Sequence, residues 1–240
     1  RVFENSKILK EYVIADIAVP VLQQGSYVLG ETQIDVISST ADYADLMESL
    51  FDFPKIKVYL AAKPLVFDAM HAATGPYAQE IFAKRLGLPE KYLINTTPSP
   101  DFGDGHPDPQ PSHAQDLQAA MAQFPEAVMG AASDGDGDRN LIMGRKQIVN
   151  PCDSLAIIAA LHEHIPCLEK LNGIGRTMPT SRAANAVAQA KGMRCFETPT
   201  GWKFFANLLD ADKIQLCGEE SFGTGGNHVR EKDGLWTVLC

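Results

Sequence analysis

The chain has 240 residues, 45% of them hydrophobic and 21% charged, with 21 Lys and Arg against 30 Asp and Glu for a formal net charge of -9. That length accommodates one or two domains with a full core, and the acidic balance offers no positive field to gather a phosphate backbone, which excludes nucleic acid as the main partner. The longest unbroken apolar run, 155–161, falls far short of the roughly 20 residues of a membrane span, and no basic-then-apolar signal segment opens the chain. The expectation is a soluble, cytoplasmic protein with no membrane partner. Cysteines 152, 167, 195, 217 and 240 are odd in number and never form C-x-x-C, so they read as buried thiols of a reducing compartment and not as a zinc or disulfide framework. The chain opens on Arg1 in place of Met and closes on an apolar stretch, 234–240, with no polar tail, which suggests a piece of something longer.

Along the chain, Thr40 stands as N-cap of a stretch in which Leu46, Met47, Leu50 and Phe51 recur at helical spacing, predicting a helix over 41–51. Residues 64–68 read as a buried strand. Gly75-Pro76 opens a helix that ends at Leu86-Gly87, and 92–95 is the next strand. Prolines 98, 100, 107, 109 and 111 make 98–111 a long surface loop. Helix resumes over 113–123, and 127–132 is a third strand that runs into Ser133-Asp-Gly-Asp-Gly-Asp-Arg139 before 141–143 continues as another. The rhythm then repeats, with helices over 153–164, 181–191 and 202–209 and strands over 175–178, 194–197 and 214–217. The fold class is α/β: two similar mixed domains, each a small sheet flanked by helices in three layers, dividing near residue 149.

Asp134, Asp136 and Asp138 sit at i, i+2 and i+4 with glycine between each pair. Two carboxylates 4 Å apart repel by about 4 kcal/mol at an effective dielectric of 20, so something cationic should offset them, and Gly135 and Gly137 let the loop curl to aim all three inward. Hard oxygen ligands select Mg²⁺ or Ca²⁺; the plainer alternative is a solvated acidic turn. A calcium-sensor loop is close to excluded, because its sixth and twelfth positions, Gly and a bidentate Glu, are here Arg139 and Arg145. An aspartyl-nucleophile phosphatase would want Thr where Asp138 stands. Arg139 beside a metal points to phosphoryl chemistry, or, taken alone, to a surface salt bridge. A second cluster, 217–226, places two carboxylates, a hydroxyl and four glycines after a strand. In an extended loop Glu219 and Ser221 would point the same way and Glu220 away, which suits a sugar, though a plain glycine-rich turn has the same composition.

The Asp134–Arg139 loop, Thr198-Pro-Thr-Gly-Trp-Lys-Phe-Phe205, Gly218-Glu-Glu-Ser-Phe-Gly223 and Arg230-Glu-Lys-Asp-Gly-Leu-Trp236, in that order, closely resemble the phosphoglucomutase branch of the α-D-phosphohexomutase superfamily. Phe51-Asp-Phe53, Asp68-Ala-Met-His71 and His106-Pro-Asp-Pro109 extend the resemblance over the whole chain. It implies a four-domain α/β architecture around a cleft, with 1–35 as the tail of the first domain, 36–148 as the second with the metal loop, and 149–240 as most of the third with the sugar loop. The implied activity is interconversion of glucose 1-phosphate and glucose 6-phosphate through a phosphoserine and glucose 1,6-bisphosphate. The resemblance gives Asp134, Asp136 and Asp138 to Mg²⁺ and sets Arg139 next to the phosphoserine. It gives sugar hydroxyls to Glu219 and Ser221, lines the sugar site with Thr200 and Gly201, and has Lys232 assist proton transfer. Asp138, Arg139 and Lys232 also count among the substrate-binding residues. Apart from the family, Thr200 reads as a helix N-cap and Lys232 equally well as a surface charge. Neither the phosphoserine loop, Thr-Ala-Ser-His-Asn-Pro, nor a phosphate-gripping Arg-x-Ser-Gly-Thr loop occurs in these residues; the one Ser-His pair is Ser112-His113. This polypeptide by itself is therefore expected to be inactive. A phosphomannomutase, a metal-dependent sugar phosphatase and a non-catalytic binding protein on the same fold are the rival readings.

Overall fold

The computed structural model describes residues 2–14 and 23–240, which divide into two compact units, Arg1–Ser39 and Thr40–Cys240. In the first unit, helix α1 (Val2–Ile8) precedes an antiparallel hairpin of β1 (Gly25–Leu29) and β2 (Thr32–Val36), turned at Gly30 with φ +63°. The sequence reading of 1–35 as a domain tail falls partly on Arg1 and 15–22, which lie outside the described residues. The hairpin was not foreseen.

The second unit holds two four-stranded sheets. The first has the order β4-β3-β5-β6, with β3 (Leu65–Asp68), β4 (Leu93–Ile94) and β5 (Met129–Ser133) parallel and β6 (Asn140–Gly144) antiparallel to β5. Every residue of β3 is buried, as expected of a parallel strand covered on both faces. The register sets Phe67 opposite Ala131, facing Phe82 at a ring distance of 5.4 Å, and sets Val66 opposite Gly130 on the other face, where Leu117 and Met121 pack. Phe82 belongs to a helical run in which α4 (Thr74–Ala78) continues as π-helix over Gln79–Arg85; Leu117 and Met121 belong to α5 (Gln115–Gln123). Helix therefore covers both faces. Two further helices, α2 (Ala41–Leu50) and α3 (Phe53–Ala62), precede the sheet. The expected helix over 41–51 matches α2, with the Thr40 carbonyl accepting the Ala44 N–H, whereas α3 was missed.

The second sheet has the order β10-β9-β7-β8. Here β7 (Gly173–Thr177), β8 (Arg194–Thr198) and β9 (Leu216–Gly218) are parallel, and β10 (Thr224–Gly226) is antiparallel to β9. Alternation along β9 separates the two faces: Leu216 joins the core that includes Leu155 of α6 (Ser154–Ala160) and Ala188 of α7 (Ala183–Lys191). Cys217 joins Phe205 and Leu209 of α8 (Lys203–Asp210) on the other face. The short helix α9 (Gly234–Leu239) packs between β10 of this sheet and β5 and β6 of the first, with Trp236 wholly buried. The fold class is thus α/β with two helix-flanked sheets. The expected helix over 153–164 is α6 shortened to Ala160 and flanked by single 3₁₀ turns. Of the five thiols only Cys217 is buried; the others are half-buried, all are free, and the reading of five buried thiols is corrected accordingly. Among the described residues no helix is long and apolar enough to cross a membrane.

Candidate active site

The Asp134–Arg139 loop leaves the C-terminal end of β5 and returns as β6, so it stands at the sheet edge where the parallel strands end, the usual ligand side of an α/β sheet. Its neck is closed by the Ser133 hydroxyl donating to the Arg139 carbonyl (3.0 Å) and the Arg139 N–H donating to Asp134 Oδ1 (3.0 Å). The two glycines give their backbone groups to neighbouring loops: Gly135 N–H to the Pro107 carbonyl (3.0 Å), and the Gly137 carbonyl to the N–H of Gly234 (2.9 Å). Gly137 has φ +83°, a conformation costly for residues with a Cβ. With the backbone turned outward, the three carboxylates converge, and one oxygen from each lies within 4.8 Å of the others.

This convergence is electrostatically incomplete. Burial and the nearby Asp138 and Asp136 charges hold the Asp134 carboxyl well above the usual carboxylate range. Arg139 offsets them only at a distance: its Nε is 3.6 Å from Asp138 and 3.7 Å from Asp134, and its Nη1 is 3.7 Å from Asp108. These separations exceed hydrogen-bond range, and both Arg139 Nε and Asp138 Oδ1 are buried without a partner. Three inward oxygens with one unpartnered lone-pair site fit a hard divalent cation. Arg145, which with Arg139 speaks against a calcium-sensor loop, turns away to donate to the Pro125 (2.7 Å) and Ala127 (3.2 Å) carbonyls.

The second loop, after β9, is joined to the first. Asn140 N–H donates to the Phe222 carbonyl (3.0 Å), Arg139 bridges Gly223, and Glu219 N–H closes on the Gly223 carbonyl (2.9 Å), with Phe222 at φ +65°. Within it Ser221 Oγ donates to Glu219 Oε1 (3.0 Å), while Glu220 turns away to accept from Thr177 (2.7 Å). Lys232 spans the two loops, with Nζ 2.7 Å from Asp138 Oδ2 and 3.1 Å from Glu219 Oε1. Burial alone would lower the pKa of this ammonium, but the bonds to Asp138 and Glu219 outweigh it and hold the group above its ordinary value. Glu219 Oε2 accepts no bond from the described residues.

Thr200 and Gly201 lie in the exposed loop after β8, two strands from Glu219 at the same edge of the sheet. No side-chain bond among the described residues ties them to the other sites. The Trp202 indole N–H donates to the Arg230 carbonyl (3.0 Å), which fixes this loop to the segment carrying Lys232. Helix α8 takes Trp202 as its N-cap, so the N-cap reading of Thr200 is corrected. A cavity of about 280 Å³ opens on Asp136, Asp138, Lys232, Tyr43, Thr74 and Tyr77; Glu219, Ser221, Thr200 and Gly201 do not line it.

Sequence reasoning missed the support behind Lys232. Asp233 caps α9 through the Trp236 N–H (2.9 Å), accepts from the Tyr43 hydroxyl (2.6 Å), and lies 3.0 Å from His228 Nε2, whose ring stacks on Trp236. An Asp-Gly pair ahead of an apolar run carries the signal for the cap. Nothing local announces Tyr43, 190 residues away.

Comparison with known proteins gives two family matches: "Phosphoglucomutase/phosphomannomutase, alpha/beta/alpha domain II" over residues 41–147 and domain III of the same family over 151–240. The phosphoglucomutase of Rhizobium radiobacter is 52% identical over 99% of this chain and 44% of its own length. Relatives named chloroplastic (Marchantia polymorpha, 49% identical over all of this chain and 37% of its own) and cytoplasmic (Populus tremula, 45%, all of this chain and 44% of its own) also match. The open form of Paramecium pp63/parafusin, described as a phosphoglucomutase, superposes with a TM-score of 0.83 at 47% identity, covering 90% of this chain and 40% of that one. The chain spans less than half the length of these relatives. With both halves of the Thr40–Cys240 unit matched and the loops assembled as described, the chain belongs to the phosphoglucomutase/phosphomannomutase family.

Proposed function

We propose that the protein these residues belong to is a cytoplasmic phosphoglucomutase that interconverts glucose 1-phosphate and glucose 6-phosphate through a phosphoserine and glucose 1,6-bisphosphate. Residues 36–148 are read as its second domain, 149–240 as most of its third, and 1–35 as the tail of its first; the nucleophile and the phosphate clamp are supplied from outside these 240 residues. The observation that carries the reading is the position of Lys232, bonded at once to Asp138 of the carboxylate loop and to Glu219 of the sugar loop, which makes one site of two loops about eighty residues apart.

Asp134, Asp136 and Asp138 would hold Mg²⁺, which when bound offsets charge on the transferring phosphoryl group. The Arg139 guanidinium is held at the rim of these carboxylates without a completed bond and is free to grip a phosphate oxygen. Glu219 uses Oε1 for Ser221 and Lys232 and offers Oε2 to a sugar hydroxyl, and Ser221 Oγ can rotate to a second. Lys232 keeps a proton on Nζ beside the sugar loop, where it can serve the reacting hydroxyl. Thr200 and Gly201, at the same sheet edge, are read as the far wall of the sugar site.

The intermediate must present first one phosphate and then the other to the same phosphoserine, so the residues gripping the ring serve both orientations. Rapid-quench measurement of phosphoryl transfer from the phosphorylated full-length enzyme to each monophosphate tests this. Both sugars should accept, and Glu219→Gln should slow both transfers about tenfold, the cost of one hydrogen bond to a charged group. A wild-type phosphoenzyme that transfers to neither sugar, or a variant slowed toward only one, contradicts the reading.

A further inference from the structure

We propose that Thr177 is a positioning residue of the sugar loop, and that the turn it opens, 177–180, spaces the two sides of the sugar site; the inference rests on the function proposed above. Strand β7 lies between β9 and β8 in its sheet, parallel to both. The turn at its C-terminal end therefore stands between the loop carrying Glu219 and Ser221 and the loop carrying Thr200 and Gly201. It is bonded toward both. The Met178 N–H donates to the Thr198 carbonyl (2.9 Å), at the end of β8, and the Thr177 hydroxyl donates to Glu220 Oε2 (2.7 Å). Glu220 stands in sequence between Glu219 and Ser221 and its side chain turns away from theirs, so this bond fixes the stretch of backbone from which both project.

The turn is held from beneath by a buried cation. Arg176, 2% exposed, donates from every nitrogen: Nη1 to the carbonyls of Thr177 (3.0 Å), Met178 (3.3 Å) and Thr180 (3.4 Å), Nε to Asn185 of α7 (2.5 Å), and Nη2 to Glu197 of β8. A planar guanidinium fork sets these acceptors at fixed positions, which a lysine could not do. The hydroxyls above it form a chain with one direction. Thr177 and Thr180 are both buried, with their hydroxyl oxygens 2.6 Å apart. Thr177 has one proton and gives it to Glu220, so the Thr180 hydroxyl is the donor to Thr177. Each donor in such a chain strengthens the next, and this one ends on a carboxylate of the sugar loop.

The sugar loop has a second anchor of a different kind. At Phe222 and Gly223 it is tied to Asn140 and Arg139 of the carboxylate loop through backbone groups. Those bonds do not involve Thr177. Loss of the Thr177 hydroxyl should therefore tilt Glu219 and Ser221 and leave the Asp134–Asp138 loop in place, a separation that kinetics can read.

The test is steady-state mutase kinetics of the full-length protein against glucose 1-phosphate and Mg²⁺, for Thr177→Val, Thr177→Ser, Glu220→Ala and the Thr177→Val, Glu220→Ala double variant. Thr177→Val keeps the branched shape without the hydroxyl and should lower kcat/KM for the sugar about tenfold, the scale of one lost hydrogen bond to a charged group. The Mg²⁺ concentration giving half the maximal rate should not change, and Thr177→Ser should restore the rate. In the Glu220→Ala background Thr177→Val should have no further effect, because the hydroxyl has nothing left to hold. An unchanged kcat/KM in Thr177→Val, a serine that does not rescue, or losses that multiply in the double variant would each overturn the role of Thr177 while leaving the mutase reading intact. A wild type that does not convert glucose 1-phosphate would overturn that reading and this inference with it. Should Thr177→Val not fold, Thr180→Val, which removes only the far donor, should give a smaller loss of kcat/KM with the same Mg²⁺ dependence, and no loss there would also overturn the chain.

Discussion

Lys232 is a half-buried ammonium whose partners are both carboxylates, so its removal acts in two directions. In our reading it serves the reacting hydroxyl, and Lys232→Met in the full-length protein should lower kcat/KM by about 100-fold or more, the usual size of a lost acid–base group. Nζ also occupies Asp138 Oδ2 at 2.7 Å, and that oxygen belongs to the carboxylate loop. The same variant should therefore bind Mg²⁺ more tightly, by several-fold, because a competing cation has gone. The Mg²⁺ dependence of the rate reads both effects; slower turnover with looser Mg²⁺ binding would show Lys232 to be a support of the loop and not a competitor for it.

Elements hold these side chains in place through backbone approaches that leave no space for a Cβ. At Gly234, the first residue of α9, an added Cβ would stand 2.4 Å from the Arg139 carbonyl and 3.0 Å from that of Gly137. Gly234→Ala should destabilise the protein by about 1–3 kcal/mol, the cost of an overpacked site, and weaken Mg²⁺ binding by pushing the loop open. Gly144→Ala in β6, whose nearest neighbour would be at 3.8 Å, should change neither, as a denaturant midpoint would show. A second joint ties the start of β4 to the turn before β5: the Tyr92 hydroxyl donates to Glu126 Oε1 at 2.7 Å. That bond is the main cause holding the Glu126 carboxyl down to about 2 from 4.5. A depressed carboxylate contributes stability that is full above the unfolded value and is lost as pH falls, here between about 4.5 and about 2. Tyr92→Phe should return the Glu126 titration toward 4.5 by NMR and flatten that part of the acid-unfolding curve.

Elements with a clean period or clean punctuation were legible: α2 between Thr40 and Phe51, the buried strand at 64–68, the helix closed by Gly87, and the loops that follow β5 and β9. Helix α3 escaped although Asp52 caps it through the Lys55 N–H (3.0 Å) with a proline in its first turn. Its apolar residues do not mark one face, since Val58 and Tyr59 are left 74% and 53% exposed. Helix α9 escaped because all but one of its residues are buried, which erases the amphipathic stripe. Within the site, spacing singled out Asp134, Asp136, Asp138 and Glu219 as candidates, and Lys232 entered only through the resemblance. Neither could pair Lys232 with both loops, nor bring Tyr43 to Asp233, since those contacts arise only when α9 seats between the sheets.

In the Thr40–Cys240 unit, two sheets of similar plan present loops that lock to each other at Arg139–Gly223, Asn140–Phe222 and Gly137–Gly234. Three of the chain's 30 acidic residues converge in one loop, answered by Arg139 of that loop and by Lys232 from a distant segment. In our reading, a phosphorylated sugar entering this site would meet local cations and a metal, not a basic surface. The most direct measurement of the central claim is ³¹P NMR of the full-length protein mixed with glucose 1-phosphate, Mg²⁺ and a trace of glucose 1,6-bisphosphate. The account predicts that the glucose 1-phosphate resonance is replaced by that of glucose 6-phosphate with no inorganic phosphate released. Steady growth of the inorganic phosphate signal, or a spectrum that does not change, would contradict it.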